Sequence, residues 1–75
     1  MLKTLTATFD SEDALKNVED DILNGMIAGF PQEKLFVDKD KKEIKVIASP
    51  GIEGEIRKIF QDHGAKSVTE RPWVE

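Results

Sequence analysis

The stretch "KLFVDKDKKEIKVIAS", residues 34–49, contains two short apolar runs separated by a polar tip, "KDKK" at 39–42. Apolar and polar residues alternate in both runs, and this period of two is typical of half-buried strands. The stretch therefore predicts a β-hairpin with strands over 34–38 and 43–49. The apolar residues that we expect to point inward from this hairpin are Leu35, Val37, Ile44, Val46 and Ala48.

Upstream of the hairpin, the chain predicts a strand followed by a helix. "LKTLTATF" (2–9) alternates between apolar residues and threonines, which favours a strand. "DSEDALKNVEDDILNGMIAGF" (10–30) then changes to the helical period, with Asp10 as the expected N-cap. We expect this helix to fray near Gly25 or to stop before Gly29. Its apolar face is predicted to contain Leu15, Val18, Ile22 and Met26, and the strand is predicted to bury Leu5, Ala7 and Phe9.

Downstream of the hairpin, the same order is repeated. "SPGIEGEIRKIFQDHG" (49–64) predicts a second helix, with Ser49 as N-cap, Pro50 in the first helical position and Gly64 just beyond the end. "AKSVTERPWVE" (65–75) predicts a last strand, which Pro72 ends or confines to a sheet edge. The apolar stripe of the helix consists of Ile52, Ile56, Ile59 and Phe60.

The elements therefore follow the order strand, helix, strand, strand, helix, strand. Two βαβ-like halves with right-handed crossovers predict the ferredoxin-like α+β fold, βαββαβ. We expect a single domain over residues 1–75, with a four-stranded antiparallel sheet of strand order 4-1-3-2. Both helices should cover one face of this sheet and leave the other face open.

Composition excludes several classes of function. The chain has 75 residues, a net charge of −4 and no cysteine, so disulfides and thiolate metal sites are excluded. An acidic domain repels the phosphate backbone of nucleic acids unless its basic residues cluster. The start "MLKTLTATFD" lacks the apolar run of a signal peptide, and no stretch approaches the roughly 20 apolar residues that span a bilayer. We expect a soluble cytoplasmic protein with no membrane partner.

The open sheet face is the first candidate site. RNA-recognition domains of this architecture stack bases on aromatic residues of the two central strands, but here those strands offer threonines, Lys45 and Ile47. The face is either a solvated surface with a mild apolar patch at Phe36 and Ile47 or a surface that packs against a second copy or another protein. The residues that we select for such an interaction are Thr6, Phe36, Lys45 and Ile47. The strand phases assign to this face Thr4, Thr6, Thr8, Phe36, Lys45, Ile47, Ser67, Thr69 and Arg71.

The start of the second helix is the alternative site. Free N–H groups at a helix N-terminus favour anions, so Ser49, Gly51 and Gly54 define a candidate site for a small anion or nucleic acid. Glu53 and Glu55 lie in the same turn, however, and would repel phosphate. We therefore interpret the two glycines as positions where the helix approaches the sheet closely.

No enzyme chemistry is predicted. The tip "DKDKKE" (38–43) lacks the spacing and the glycine of a calcium loop, and its lysines favour a solvated turn. His63 is the only histidine, and its place near a helix C-terminus has a structural explanation. The acidic first helix is either a solvated face or a docking surface for a basic partner. We expect no catalytic residue, metal site or cofactor.

Two segments resemble known proteins. "TATFDSEDALKNVEDDILNGMIAGFPQEKLFV" (6–37) resembles the opening of small bacterial general-stress-type proteins, and "IRKIFQDHGAKSVTERPW" (56–73) resembles the end of related small domains. The resemblance implies a ferredoxin-like fold and a stress-related bacterial cytoplasmic protein, and it supplies no catalytic residues. From all these observations we expect a non-enzymatic protein-interaction or regulatory module, self-associating or binding a partner through its open sheet face.

Overall fold

The computed structural model describes residues 2–26 and 30–73, and for residues 25 and 26 it describes the backbone alone. A π-helical turn, Ile22–Met26, continues the first helix, and a 3-10 turn, Gln32–Lys34, precedes the second strand. The main elements in chain order are β1 (Lys3–Thr8), α1 (Glu12–Asp21), β2 (Leu35–Asp38), β3 (Glu43–Ala48), α2 (Glu53–Asp62) and β4 (Ser67–Pro72).

The four strands form one antiparallel sheet in the order β2-β3-β1-β4. This order, written from the opposite edge, is the predicted 4-1-3-2, so the ferredoxin-like fold is confirmed. The central hairpin has the predicted strands, and its tip closes with Lys42 in the left-handed region at φ 52°. Pro72 lies in β4, which is an edge strand as expected.

The core lies between the two helices and one face of the sheet. Phe9 and Phe60 meet edge to face, with ring centroids 6.2 Å apart, and join the end of β1 to α2. The inward residues predicted for β1 and β3 are all buried, whereas Val37 on the edge strand and Ile52 ahead of α2 are half-buried. The buried core cluster consists of Leu5, Ala7, Phe9, Leu15, Val18, Ile22, Phe30, Leu35, Ile44, Val46, Ala48, Ile56, Ile59 and Phe60.

The N-cap of α1 is Ser11, and the prediction of Asp10 was wrong by one residue. Ser11 has an extended backbone, and its hydroxyl accepts a hydrogen bond of 3.2 Å from the Ala14 N–H. Asp10 is exposed and instead lies 3.6 Å from the Lys66 ammonium. Both residue types suit an N-cap, so pattern alone does not decide between neighbours.

The end of α1 changes its hydrogen bonding. Regular α-helix ends at Asp21, and π-helical turns continue to Met26. The amide of Ile22 donates to both Glu19 and Val18 carbonyls, as is common where helical pairing changes. The predicted stop before Gly29 and the side chain of Met26 lie outside the described residues.

The start of α2 corrects the sequence prediction. The helix begins at Glu53, and Ser49 and Pro50 form a turn ahead of it rather than its cap. The Ile52 N–H donates to the Ser49 carbonyl at 3.1 Å, and no side chain caps the helix. A proline followed by a glycine fits a tight turn at least as well as a helix start, which explains the difference.

The end of α2 agrees with the prediction. Gly64 has φ +74°, where a glycine avoids the steric cost of a Cβ. The Ala65 N–H donates to the Phe60 carbonyl at 3.1 Å, and the Gly64 N–H donates to the Gln61 carbonyl at 3.0 Å. These two bonds form a Schellman motif, which turns the chain into β4.

Candidate interaction surface

The open face of the sheet is the surface turned away from α1 and α2. Strand register brings three of the four residues selected from the sequence into one row, because Lys45 lies opposite both Phe36 and Thr6. Thr69 continues this row on β4. The fourth, Ile47, lies two residues along β3 from Lys45 and opposite Thr4. The four predicted interaction residues are therefore neighbours on one surface.

Exposure separates the two apolar residues of this set. Phe36 is 51% exposed to solvent, whereas Ile47 is only 7% exposed. The expectation of an exposed patch made of Phe36 and Ile47 is thus wrong for Ile47. This isoleucine is buried although it lies on the open face, and it is not part of the core cluster under the helices.

Trp73 is the aromatic residue that the sequence left unassigned. Its N–H donates to the Leu2 carbonyl at 2.9 Å, so the β4 register extends by one residue beyond Pro72. Alternation from Arg71 then places the indole on the open face. Trp73 is 41% exposed, and in residues 2–24 and 30–73 it is, with Phe36, one of two large apolar residues exposed to this degree.

A shallow groove of about 510 Å³ crosses the open face. It runs from Lys41 and Glu43 beside the hairpin tip, past the threonines of β1, to Trp73 at the opposite end. Thr4 and Thr6 therefore form part of its floor. The lining residues are Thr4, Thr6, Lys41, Glu43, Lys45, Thr69, Arg71, Pro72 and Trp73.

The groove is positively charged, although the chain as a whole is negative. Among the residues that the structure describes, Glu43 is the only acidic one that lines the groove, and its carboxylate lies 3.9 Å from the ammonium of Lys45. None of the ion pairs formed within the described residues uses Lys41 or Arg71. The sequence pattern missed this groove because Lys41 belongs to a turn and enters the face only through the hairpin geometry.

The start of α2, the alternative site, presents a carboxylate. Glu53 is 7% exposed and its Oε1 lies 3.3 Å from the Lys3 ammonium. Glu53 and Glu55 place two negative charges in the first turn of α2, where the helix dipole favours them and where they would repel an anion. Ser49, Gly51 and Gly54 are all exposed.

The two glycines of this segment do not mark a close approach to the sheet. A Cβ added at Gly51 or Gly54 would meet no atom within 4 Å, and neither residue has a positive φ. The interpretation of close packing is therefore wrong at both positions, because the helix reaches the sheet through Ile56, Ile59 and Phe60 instead.

The remaining polar candidates have structural partners. The His63 Nε2 lies 2.5 Å from the Asp21 Oδ2 and so ties the C-terminal ends of the two helices together. The Lys41 N–H donates to the Asp38 Oδ1 at 3.2 Å within the hairpin turn. No group of three or more metal-ligating side chains occurs within the described part of the chain.

No protein-family model, curated protein or solved structure matches this chain. The likeness to general-stress-type proteins therefore stays a prediction. Within the residues that the structure describes, none of the helices has the length and apolar character needed to cross a membrane.

Proposed function

We propose that this domain is a non-enzymatic protein-interaction or regulatory module that binds its partner through the open sheet face. The observation that carries the proposal is the position of Phe36 and Trp73, two large exposed apolar residues, on this one face. Buried aromatic anchors dominate the binding energy of many interfaces. The cytoplasmic, bacterial and stress-related setting implied by the resemblance belongs to this proposal.

The two aromatic residues flank the face. Phe36 lies on β2 and Trp73 follows β4, which are the two edges of the sheet. Three strand spacings of about 4.8 Å place the edges roughly 14 Å apart. Between the two edges lie Thr6 on β1 and Lys45 on β3, whose polar groups hydrogen-bond to water. This arrangement offers an apolar contact at each edge and hydrogen-bonding groups between them.

The size of the face restricts the kind of partner. Three strands of six residues and one of four, at about 3.3 Å per residue and about 4.8 Å between strands, give a surface of roughly 350 Å². Stable protein pairs bury about 800 Å² on each partner. Contact through this face alone therefore supports a weak dimer or the binding of a short segment, and a tight globular complex would need further surface.

A selection experiment tests the proposal without assuming a ligand. A random peptide library is selected against the immobilised domain, and binders are retested on the double variant Phe36→Thr with Trp73→Thr. We expect the selected peptides to shift amide signals of Thr6 and Lys45 and to lose binding to the double variant. Lys58→Thr, an exposed change on α2, is the matched control and should keep binding.

Sedimentation at micromolar concentration tests self-association separately. A dimer that dissociates in the Phe36→Thr, Trp73→Thr variant would identify a second copy as the partner. If the domain is a monomer and the selected peptides shift amides on the helices rather than on the sheet, the open face is not the interaction surface and the proposal is wrong.

A further inference from the structure

The charge of the open-face groove defines the chemistry of what it binds. Within residues 2–24 and 30–73, its lining includes the cations Lys41, Lys45 and Arg71 and one carboxylate, that of Glu43. This excess is positive on a chain whose net charge is −4. Local charge of the opposite sign to the whole molecule gives a partner both attraction and orientation.

The length of the groove defines the form of the ligand. The groove follows β1 from Thr8, which pairs with Glu43, to Leu2, whose carbonyl accepts a hydrogen bond from the Trp73 N–H. Six steps of about 3.3 Å make this distance roughly 20 Å, which is the length of about six residues of extended chain. The groove is shallow and open, so it suits a segment lying across the sheet better than a compact small molecule.

We propose that the groove binds an acidic, extended segment of a partner protein, about six residues long. Carboxylates of this segment pair with Lys41 at one end and Arg71 at the other, and an apolar side chain packs against Trp73. Lys45 is the middle contact, since its ion pair with Glu43 is long at 3.9 Å and exposed. This inference rests on the proposed function and names the partner chemistry.

The acidic residues of α1 do not oppose this binding. Glu12, Asp13 and Asp20 are exposed on the helical layer, which packs on the other face of the sheet. The sheet lies between these carboxylates and the groove, and salt in the solvent screens exposed charges on opposite faces of a domain. A bound carboxylate therefore interacts mainly with the cations of the groove.

Two other occupants fit less well. A second copy packed face to face would bring two positive grooves together, which costs binding energy. Single-stranded nucleic acid needs aromatic residues on which successive bases stack, whereas Phe36 and Trp73 lie at opposite edges of the sheet. Three cations on an acidic domain also give little phosphate affinity.

Three probes distinguish these occupants. The first is a blocked peptide of eight residues that alternates glutamate with serine and has one central leucine. The second has lysine in place of glutamate, and the third is an oligothymidylate of eight nucleotides. Amide shifts and Trp73 fluorescence are followed during each titration. We expect the glutamate peptide to shift the amide signals of Thr4, Thr6 and Arg71 and to bind less tightly as the salt concentration is raised. We expect the other two probes to leave these amide signals in place.

Charge reversal gives the decisive variant. The double variant Lys41→Glu with Arg71→Glu should lower the affinity for the glutamate peptide about tenfold, since each exposed ion pair contributes up to about 1 kcal/mol. Lys58→Glu makes the same change on α2 and should leave the affinity unchanged. The neutral pair Lys41→Gln with Arg71→Gln, which is milder for folding, should weaken binding by about threefold.

Several results would overturn the inference. These are equal binding of the lysine peptide, tighter binding of the oligonucleotide, no effect of the charge reversal, or no shift with the glutamate peptide. If library-selected peptides still bind the open face, only the acidic partner is wrong. If nothing binds this face, the proposed function fails as well.

Discussion

The two faces of the sheet use the same four strands for different purposes. On the face under the helices, alternate residues such as Leu5, Ile44 and Val46 are fully buried. On the open face, their neighbours Thr6 and Lys45 remain accessible to solvent. The difference shows that folding energy comes mainly from one face, which leaves the other free to carry a binding function at little cost in stability.

The largest effect is expected on the covered face. Ile44→Ala removes a fully buried side chain and should lower the free energy of unfolding by about 2–5 kcal/mol. The adjacent Lys45→Ala, on the open face of the same strand, is the matched control and should change it by less than about 0.5 kcal/mol. Urea unfolding followed by circular dichroism measures both. Similar losses for the two variants would contradict the division between the faces.

The next largest effect is expected at Ile47, which is buried although it lies on the open face. Ile47 is 7% exposed on the open face, outside the core cluster. Ile47→Ala should therefore cost about 1–2 kcal/mol, less than Ile44→Ala, because Ile47 is less completely buried and lies outside the core cluster. The same unfolding measurement decides this. A cost below about 0.5 kcal/mol would show that this isoleucine behaves as a surface residue.

The strand pattern was enough to predict the covered face. Period-two alternation in 43–49 predicted Ile44, Val46 and Ala48 as buried, and all three are. The helical period in 49–64 likewise predicted the buried residues Ile56 and Phe60. Burial follows from periodicity because both depend on the same local geometry.

The site was less predictable because it depends on contacts between distant residues. Lys41 and Trp73 line one groove, although 32 positions separate them in the sequence. Ser11 and Asp10 are equally suitable as caps by residue type, and the structure identifies Ser11 by its extended backbone and its hydrogen bond from the Ala14 N–H. The sequence that begins at Ser49 suits a helix start and a tight turn equally well, and in the structure it forms a turn. Short motifs therefore predicted element types better than element ends.

A third effect tests the ion pair between Glu53 at the start of α2 and Lys3 on β1. Glu53→Gln keeps the shape of a buried side chain but removes its ion pair with Lys3, and should cost about 1 kcal/mol. Glu55→Gln, in the same first turn but exposed, is the matched control and should cost a few tenths at most. Thermal unfolding compares them. Equal costs would show that the Lys3 pair contributes nothing beyond the helix dipole.

The same carboxylate allows a test of the alternative anion site. We expect a phosphate titration of the unmodified protein to leave the amide signals of residues 49–55 in place, because Glu53 and Glu55 put negative charge in the first turn of α2. Clear shifts in this segment would favour Ser49, Gly51 and Gly54 as an anion site and would count against the open face as the main binding surface.

A fourth, smaller effect has the opposite sign. Because a Cβ at Gly54 meets open space, Gly54→Ala should stabilise the protein by a few tenths to about 1 kcal/mol through helix propensity. Gly64→Ala is the contrasting control: its φ of +74° makes the alanine strained, and about 1 kcal/mol should be lost. If Gly54→Ala instead destabilises the protein, the helix layer lies closer to its neighbours than the geometry shows.

The smallest effect on stability is expected at Phe36, one of the two aromatic residues that we propose as binding anchors. Phe36 is 51% exposed on an edge strand, and threonine retains a high strand propensity, so Phe36→Thr should change the free energy of unfolding by no more than about 0.5 kcal/mol. The same substitution should nevertheless lower the affinity for peptides that bind the open face, because it removes an aromatic anchor. Unfolding and peptide titration on one sample separate the two roles. If stability falls by 2 kcal/mol or so, as for a buried aromatic residue, Phe36 is part of the core, and its exposure on the open face would no longer support an interaction surface.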